Sequence, residues 1–281
     1  MLGVPQQPPT AAAPAAVETN PVGKELFPDG VLTPPDERYK VRLEPSVFFV
    51  APGGTLRLPG SSTATLKLEN VDLDRPRMSP FAELHVRSDK WRVSLSGFAV
   101  SLNDVVTFAP QAGQIGAVPF AAGSRVNSSI NFATGDCLVA RELGAPDSIS
   151  GKRDPDLAVS FEAFGGLRFY DVSFNFDLPG GSLGADQFFL QPVVGLKSTL
   201  NVVEKVTIDV QMSVGGFTDG ADHSSLSYDI LVGFMYRPVE NVGIQIGYRL
   251  YIFDLNDGPE NARFDYQGAM AGVYGGLVVR F

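Results

Sequence analysis

The sequence predicts an all-β fold: an antiparallel up-and-down transmembrane barrel of about ten strands, within a range of roughly 8–12. Three observations predict it. Asp, Arg, Gln, Ser or Gly interrupts every apolar run, so no stretch reaches the roughly 18 apolar residues that a membrane helix needs. From about Ser62 onward, apolar and polar residues alternate with period two, the signature of strands with unlike faces. Glycine (30) and phenylalanine (20) are abundant, and Gly with aromatics in short alternating segments is a barrel composition.

Composition excludes several function classes. The chain has 281 residues, 44% apolar and 19% charged, which is ordinary for a globular protein and equally expected of a closed barrel whose faces alternate. A net charge of −9 without a Lys/Arg-rich block argues against nucleic acid as a partner. The single cysteine, Cys137, excludes an intrachain disulfide, and with two histidines it makes no typical zinc site. No metal and no cofactor is expected. Neither G-x-S-x-G nor a phosphate loop is present, and the Gly180–Gly184 stretch reads as a turn.

Residues 1–40 carry Pro8-Pro9, Pro34-Pro35 and an Ala-rich stretch, which exclude regular ladders and predict a disordered or extended arm. The barrel domain is expected over 41–281. Its ten strands are placed at about 62–70, 81–88, 91–103, 127–140, 157–177, 187–200, 204–215, 225–237, 241–254 and 264–281. The strands 204–215, 225–237 and 241–254 are the clearest guides. Val242, Ile244, Ile246, Tyr248, Leu250 and Ile252 share one face of their strand, with Gly243, Gln245, Gly247, Arg249 and Tyr251 on the other. In 157–177 the pattern changes phase at Gly165-Gly166, which predicts a bulge. Residues 41–58 also read as strand, and they would add a hairpin, lie along the wall or fold into the lumen. The turns 201–204 and 237–240 are short, whereas 216–224, 255–263, 104–126 and 141–156 are longer. An even strand count puts both chain ends on one side.

Alternation alone also fits a soluble β-sandwich or a lipocalin-like barrel. Two features favour a membrane barrel. The polar face mixes small residues with isolated charges of both signs, so Glu83, His85, Arg87, Arg92, Glu162, Lys197, Asp209, Asp229 and Arg249 are expected to line the lumen, and Asp171 to join them. Trp91, Tyr170, Phe188, Tyr228, Tyr236, Phe253 and Tyr266 lie near strand ends, as in an interfacial aromatic girdle.

The C-terminal stretch from Gly272 through Tyr274, Leu277 and Val279 to Phe281 resembles the closing strand of small, single-chain bacterial outer-membrane β-barrel proteins. Residues 243–254 (GIQIGYRLYIFD) resemble their penultimate strand, and Gln191–Leu196 a strand two hairpins upstream. The resemblance implies that Leu277, Val279 and Phe281 form the signal read by the barrel assembly machinery. It also implies outer-membrane lipid as the surroundings, an export signal removed before Met1, and both chain ends in the periplasm. It names no substrate.

At about ten strands the lumen should be narrow and largely filled. The expected role is a structural platform or anchor that meets protein partners through its loops, chiefly 104–126 and 141–156, and through its N-terminal arm. A narrow pore for small solutes is the first alternative. The second is a lipid-modifying enzyme with His85 as base and Ser94 or Ser96 as nucleophile. His223, with Asp219 and Asp222, reads as a solvated loop.

Overall fold

A computed structural model of the chain describes residues 40–60, 65–88, 90–109, 112–144, 157–202, 205–220, 222–239 and 241–281. The arm expected over 1–40 falls almost entirely outside them. Among the described residues thirteen strands occur: β1 (Val41–Arg57), β2 (Leu66–Lys67), β3 (Arg77–Ser88), β4 (Trp91–Phe108), β5 (Gly113–Ile115), β6 (Val118–Phe120), β7 (Arg125–Gly144), β8 (Leu157–Leu178), β9 (Gly181–Val202), β10 (Val206–Thr218), β11 (Ser224–Val239), β12 (Val242–Asp257) and β13 (Phe264–Arg280). Ten of these form one antiparallel ring in the order β1, β3, β4, β7, β8, β9, β10, β11, β12, β13. Pairing of β1 with β13, from Arg42↔Arg280 to Arg57↔Asp265, closes it.

The expected count of ten is met with one exchange of members. Residues 41–57 form the first wall strand. The 62–70 segment does not cross the barrel: within it Leu66–Lys67 only pairs with the end of β1, and a 3₁₀ turn follows at Leu68–Val71. Residues 41–58 read as strand in the sequence, with their place open between a hairpin, the wall and the lumen; they lie in the wall, across Pro52-Gly53-Gly54. Gly54 has φ 127, and an added Cβ there would lie 2.6 Å from Gly268 Cα on β13. Glycine is what lets the closing strand approach.

β8 carries no bulge at Gly165-Gly166, because its pairing with β7 and β9 runs unbroken through both residues. The change of phase is real in residue type and has another cause. Near the chain ends Phe161, Leu167 and Phe169 point outward, and Glu162 and Arg168 point inward. Farther along, Tyr170, Val172, Phe174 and Phe176 point inward, and Asp171, Ser173, Asn175 and Asp177 outward. The strand keeps its register while its surroundings invert. β4, β7, β9, β12 and β13 invert in the same sense: Ser101, Asn131, Asp186, Asp254 and Gln267 face out in their far halves. A strand of about 9–11 residues spans a bilayer, and β8 and β9 have 22 each, so their far halves stand clear of the apolar belt.

The outward belt of the near half is apolar around the ring. Leu43, Val47, Val93, Leu95, Val139, Leu190, Val194, Leu196, Met212, Val232, Phe234, Ile244, Ile246, Val273 and Leu277 are exposed on it. A continuous exposed apolar surface of this extent would be untenable in water and matches the hydrocarbon band of a membrane barrel.

Ring closure sorts the loops into two ends. The ends at which β3 meets β4, β7 meets β8, β9 meets β10 and β11 meets β12 in chain order lie on the side that carries Val41 and Phe281. The connections at 58–76, 109–124, 179–180, 219–223 and 258–263 lie at the far end. The loop 141–156 was expected at the outer end beside 104–126; β7 ends at Gly144 and β8 begins at Leu157 on the side of the chain ends, and residues 145–156 lie outside the described residues. The stretch expected as the loop 104–126 is shorter, because β4 extends to Phe108 and a small β5–β6 hairpin occupies the middle.

Candidate functional site

Among the described residues, the lumen concentrates charged and polar side chains away from solvent. Register sets which side chains meet there. Inward positions recur every second residue, so Glu83, His85 and Arg87 of β3, Arg92 of β4, Glu162 of β8, Lys197 of β9, Asp209 of β10, Asp229 of β11 and Arg249 of β12 all point inward. They divide into pairs at several heights. Arg92 Nε donates to Glu162 at 3.0 Å, Arg87 Nη2 lies 2.9 Å from Glu142, and Lys197 Nζ lies 3.1 Å from Asp209. Thr199 Oγ1 donates to Asp209 at 2.7 Å. Buried charges demand such partners, since an unpaired one costs several kcal/mol or more.

The densest cluster lies at mid-lumen and includes two residues that sequence reasoning missed. Arg168 on β8 bonds Asp136 of β7 at 2.5 Å and Asp229 of β11 at 3.1 Å. Arg249 bonds the same two carboxylates, Asp229 at 2.8 Å and Asp136 at 3.4 Å. Two guanidinium and two carboxylate groups thus bridge four strands. Ser213 and Ser227 accept further hydrogen bonds from Arg168.

Directly against this cluster lies an aromatic layer. Arg168 stacks 4.7 Å over Tyr251, and Arg249 sits 5.5 Å from both Phe81 and Phe98. Tyr251 Oη donates to Tyr170 Oη at 2.9 Å, and Gln191 Nε2 donates to Tyr170 at 2.8 Å. Phe132 stacks on Phe253 at 5.1 Å, and Phe253 meets Tyr266 edge-on at 5.0 Å. Tyr170, Phe253 and Tyr266 were expected in an outer girdle. They are 0–2% exposed inside the lumen, because they sit in the far half where the outside is polar and the inside apolar. Trp91, Phe188, Tyr228 and Tyr236 do face outward. Asp171, expected in the lumen, also faces outward, for the same reason. Beyond the aromatics, Leu58, Leu68, Val71 and Leu73 of the 58–76 loop and Ile115 of β5 pack onto the same core. The far mouth is covered by its own loops.

The remaining predicted positions are as follows. Leu277, Val279 and Phe281 lie on the outward side of the closing strand, with Phe281 72% exposed. Cys137 faces outward in the belt. His223 is at the far rim, stacked 4.8 Å from Phe189 with Nδ1 2.9 Å from Asp257. His85 Nδ1 lies 2.8 Å from Ser94 Oγ, the contact that a base and a nucleophile would need. Arg92 Nη1 sits 3.0 Å from the same ring nitrogen and donates to Ser94 as well.

The sequence matches no protein-family model and no curated protein. Its fold has clear counterparts among solved structures. The outer membrane protease OmpT from Escherichia coli aligns over 89% of this chain and 99% of its own, at 12% identity and a TM-score of 0.53. Neisserial surface protein A aligns over 86% of this chain and 97% of its own, at 12% identity and a TM-score of 0.33. Ail of Yersinia pestis aligns over 85% and 99%, at 9% identity and a TM-score of 0.32. At these identities the likeness concerns fold alone. The fold is that of the bacterial outer-membrane β-barrels, and the apolar belt is what that fold presents to lipid.

Proposed function

We propose that the chain is a sealed outer-membrane barrel that anchors and presents its far-end loops, with no conducting lumen. The observation that carries this reading is the pair of layers in series across the lumen: the Arg168–Asp136–Asp229–Arg249 cluster and the Tyr170, Tyr251, Phe253 and Tyr266 aromatics behind it. A permeating ion would have to break paired charges and then cross an apolar core. In this reading both chain ends are periplasmic and the loops 58–76 and 109–124 face the cell exterior, where protein partners would meet them. The platform role includes no catalysis. Ser94 is buried in the lumen, Arg92 donates to it, and lipid lies on the opposite face of its strand, all of which favour an ion-pair network over a nucleophile and base.

The experiment is reconstitution of the purified chain in planar bilayers. Absence of steady current supports the sealed barrel. Discrete, reproducible channels would replace it with the narrow-pore reading.

A further inference from the structure

We infer that the open edge of β9 at the far end docks an extended, basic segment of another protein, which adds to the wall as a further strand. Such docking deepens the platform role and rests on the far end lying outside the cell.

Neighbouring strands differ in height. β8 and β9 pair without interruption from Leu157↔Val202 to Leu178↔Gly181, whereas the β9–β10 ladder stops at Val193↔Gly215. Residues 181–192 of β9 therefore have a strand on one side only. Backbone direction decides which groups are left. A Cβ built on Gly165 of β8 would lie 3.4 Å from Val193 O, so odd-numbered carbonyls of β9 face β8. One built on Gly195 would meet Met212 O of β10, whose register partner is Leu196, so even-numbered residues face β10. Pro192 agrees: it has no N–H to give and sits where the β10 ladder ends. Farther out, Ser182, Gly184, Asp186, Phe188 and Leu190 turn their amides and carbonyls to the open side. Among the described residues, nothing forms a backbone hydrogen bond with them there.

Exposed strand edges are normally blunted by bulges, lysine, proline or a covering segment. The strands β4, β7, β8 and β9 have a second such edge, on β4 beyond Phe98, and that one is blunted. It has a bulge between Leu102 and Val105, Asp104 at φ 55, and the 3₁₀ turn at Leu68–Val71 packed beside it. On β9, residues 181–191 contain no bulge, no lysine and no proline. An edge kept straight beside one that is covered suits strand addition, in which main-chain bonds hold the partner and alternate side chains select it.

Charge names the partner. Residues 169–192 carry Asp171, Asp177 and Asp186 on the outward face and no lysine or arginine. Asp186 stands on the edge strand itself, and side chains directly opposite across a pair lie about 4.5–5.5 Å apart. A lysine or arginine on the added strand is favoured there. A second copy of β9, paired antiparallel about this residue, would set Asp186 against Asp186. Phe188, 61% exposed and stacked on Phe169 at 6.3 Å, gives the added strand an apolar neighbour two residues along.

The probe is a fluorescent, capped decapeptide of alternating lysine and valine, titrated into the folded, detergent-solubilised chain. One equivalent should bind. Amide exchange, followed by NMR of the isotope-labelled chain, should be fast at Ser182, Gly184, Asp186, Phe188 and Leu190 in the free protein, and the peptide should slow it by about tenfold or more. Asp186→Asn should weaken binding about two- to fivefold, and Asp186→Pro, which also removes an edge amide, by about tenfold. Asp254→Asn, on β12, should leave binding unchanged. Gel mobility before and after boiling shows that each variant still forms a barrel. No slowing of those amides by the peptide would overturn the edge as a docking site. Equal binding of a peptide N-methylated at alternate residues would overturn strand addition in favour of charge attraction alone. Slow exchange at the same amides in the free chain, together with sedimentation as a dimer, would assign the edge to a second copy instead. Channels in planar bilayers would remove the sealed lumen and leave this edge untouched, so the two readings fail separately.

Discussion

Arg168 and Arg249 approach from walls four strands apart and bond the same two carboxylates, Asp136 and Asp229. Each carboxylate is therefore neutralised twice, and each guanidinium is held by two strands other than its own. Removing one member leaves the others buried and uncompensated. Arg168→Met is expected to cost about 3–5 kcal/mol, the range for breaking a buried ion pair. Asp136→Asn added to Arg168→Met should recover part of that loss, because the net charge of the cluster is restored. Urea unfolding followed by tryptophan fluorescence measures both. A double variant no more stable than Arg168→Met would show that the four groups do not act as one cluster.

The height of the belt predicts a contrast between two outward positions. Ile246 lies in the apolar band of β12, and Gln267 lies outward on β13 in the half where the outer wall has turned polar. Ile246→Arg should cost about 2–4 kcal/mol, whereas Gln267→Arg should cost about 1 kcal/mol or less. Equal penalties for the two would contradict the inversion of the wall.

That inversion also explains what the sequence made legible and what it hid. Period two put Asp209, Asp229 and Arg249 on the faces of β10, β11 and β12 that are buried in the structure, but it left Arg237 of β11 in a turn although that side chain is buried too. On β8 the apparent phase break separated Glu162 from Arg168, although they share a face. Unbroken counting from Phe161 would have found Arg168 and sent Asp171 outward. The aromatic layer was misplaced for the same reason: tyrosine near a strand end fits an outer girdle or an inner core equally well, and only the neighbours across the ring decide. Glu44 was missed because residues 41–58, although read as strand, were given no fixed place in the wall, so their inward face was not assigned. Terminal residues Leu277, Val279 and Phe281 needed no such context, since their strand alternates to its end.

Tyr274 of β13 reaches over Gly247 of the neighbouring β12 to Gly233 of β11. Its hydroxyl would stand 2.7 Å from a Cβ on Gly233, and its ring would overlap one on Gly247. Gly247→Val should therefore displace the ring and cost about 1–3 kcal/mol by overpacking. Tyr274→Ser in the Gly247→Val background should recover part of the loss, although Tyr274→Ser alone is destabilising. Thermal unfolding of the four proteins gives the coupling, and additive effects would refute the proposed contact.

Orientation is open to chemical labelling. Ala122 is exposed in the 109–124 loop at the far end, and Cys137, the native cysteine, faces the belt. With Cys137→Ala as background, Ala122→Cys should react with a membrane-impermeant maleimide on intact cells. Lys90→Cys, in the turn between β3 and β4 at the opposite end, should react only after the outer membrane is permeabilised. The reverse pattern would invert the proposed placement of the chain ends.

The two layers in the lumen act in series, so opening either one alone should not open the barrel. Tyr251→Ala with Phe253→Ala removes two rings from the aromatic layer but leaves Arg168 and Arg249 bridged by their carboxylates. Arg249→Ser with Asp229→Ser removes an opposed pair from the ion cluster but leaves the aromatic layer closed. Each double variant should remain silent in planar bilayers. The quadruple variant removes both barriers along one side of the lumen, where Tyr251 and Arg249 stand two residues apart on β12. It should pass a steady ionic current. Each variant needs its folding confirmed by the mobility shift on boiling, because large-to-small changes in a packed core cost about 3–5 kcal/mol. Current from the aromatic double variant alone would show that the ion cluster is wet and permeable, and that the aromatic layer is the sole barrier.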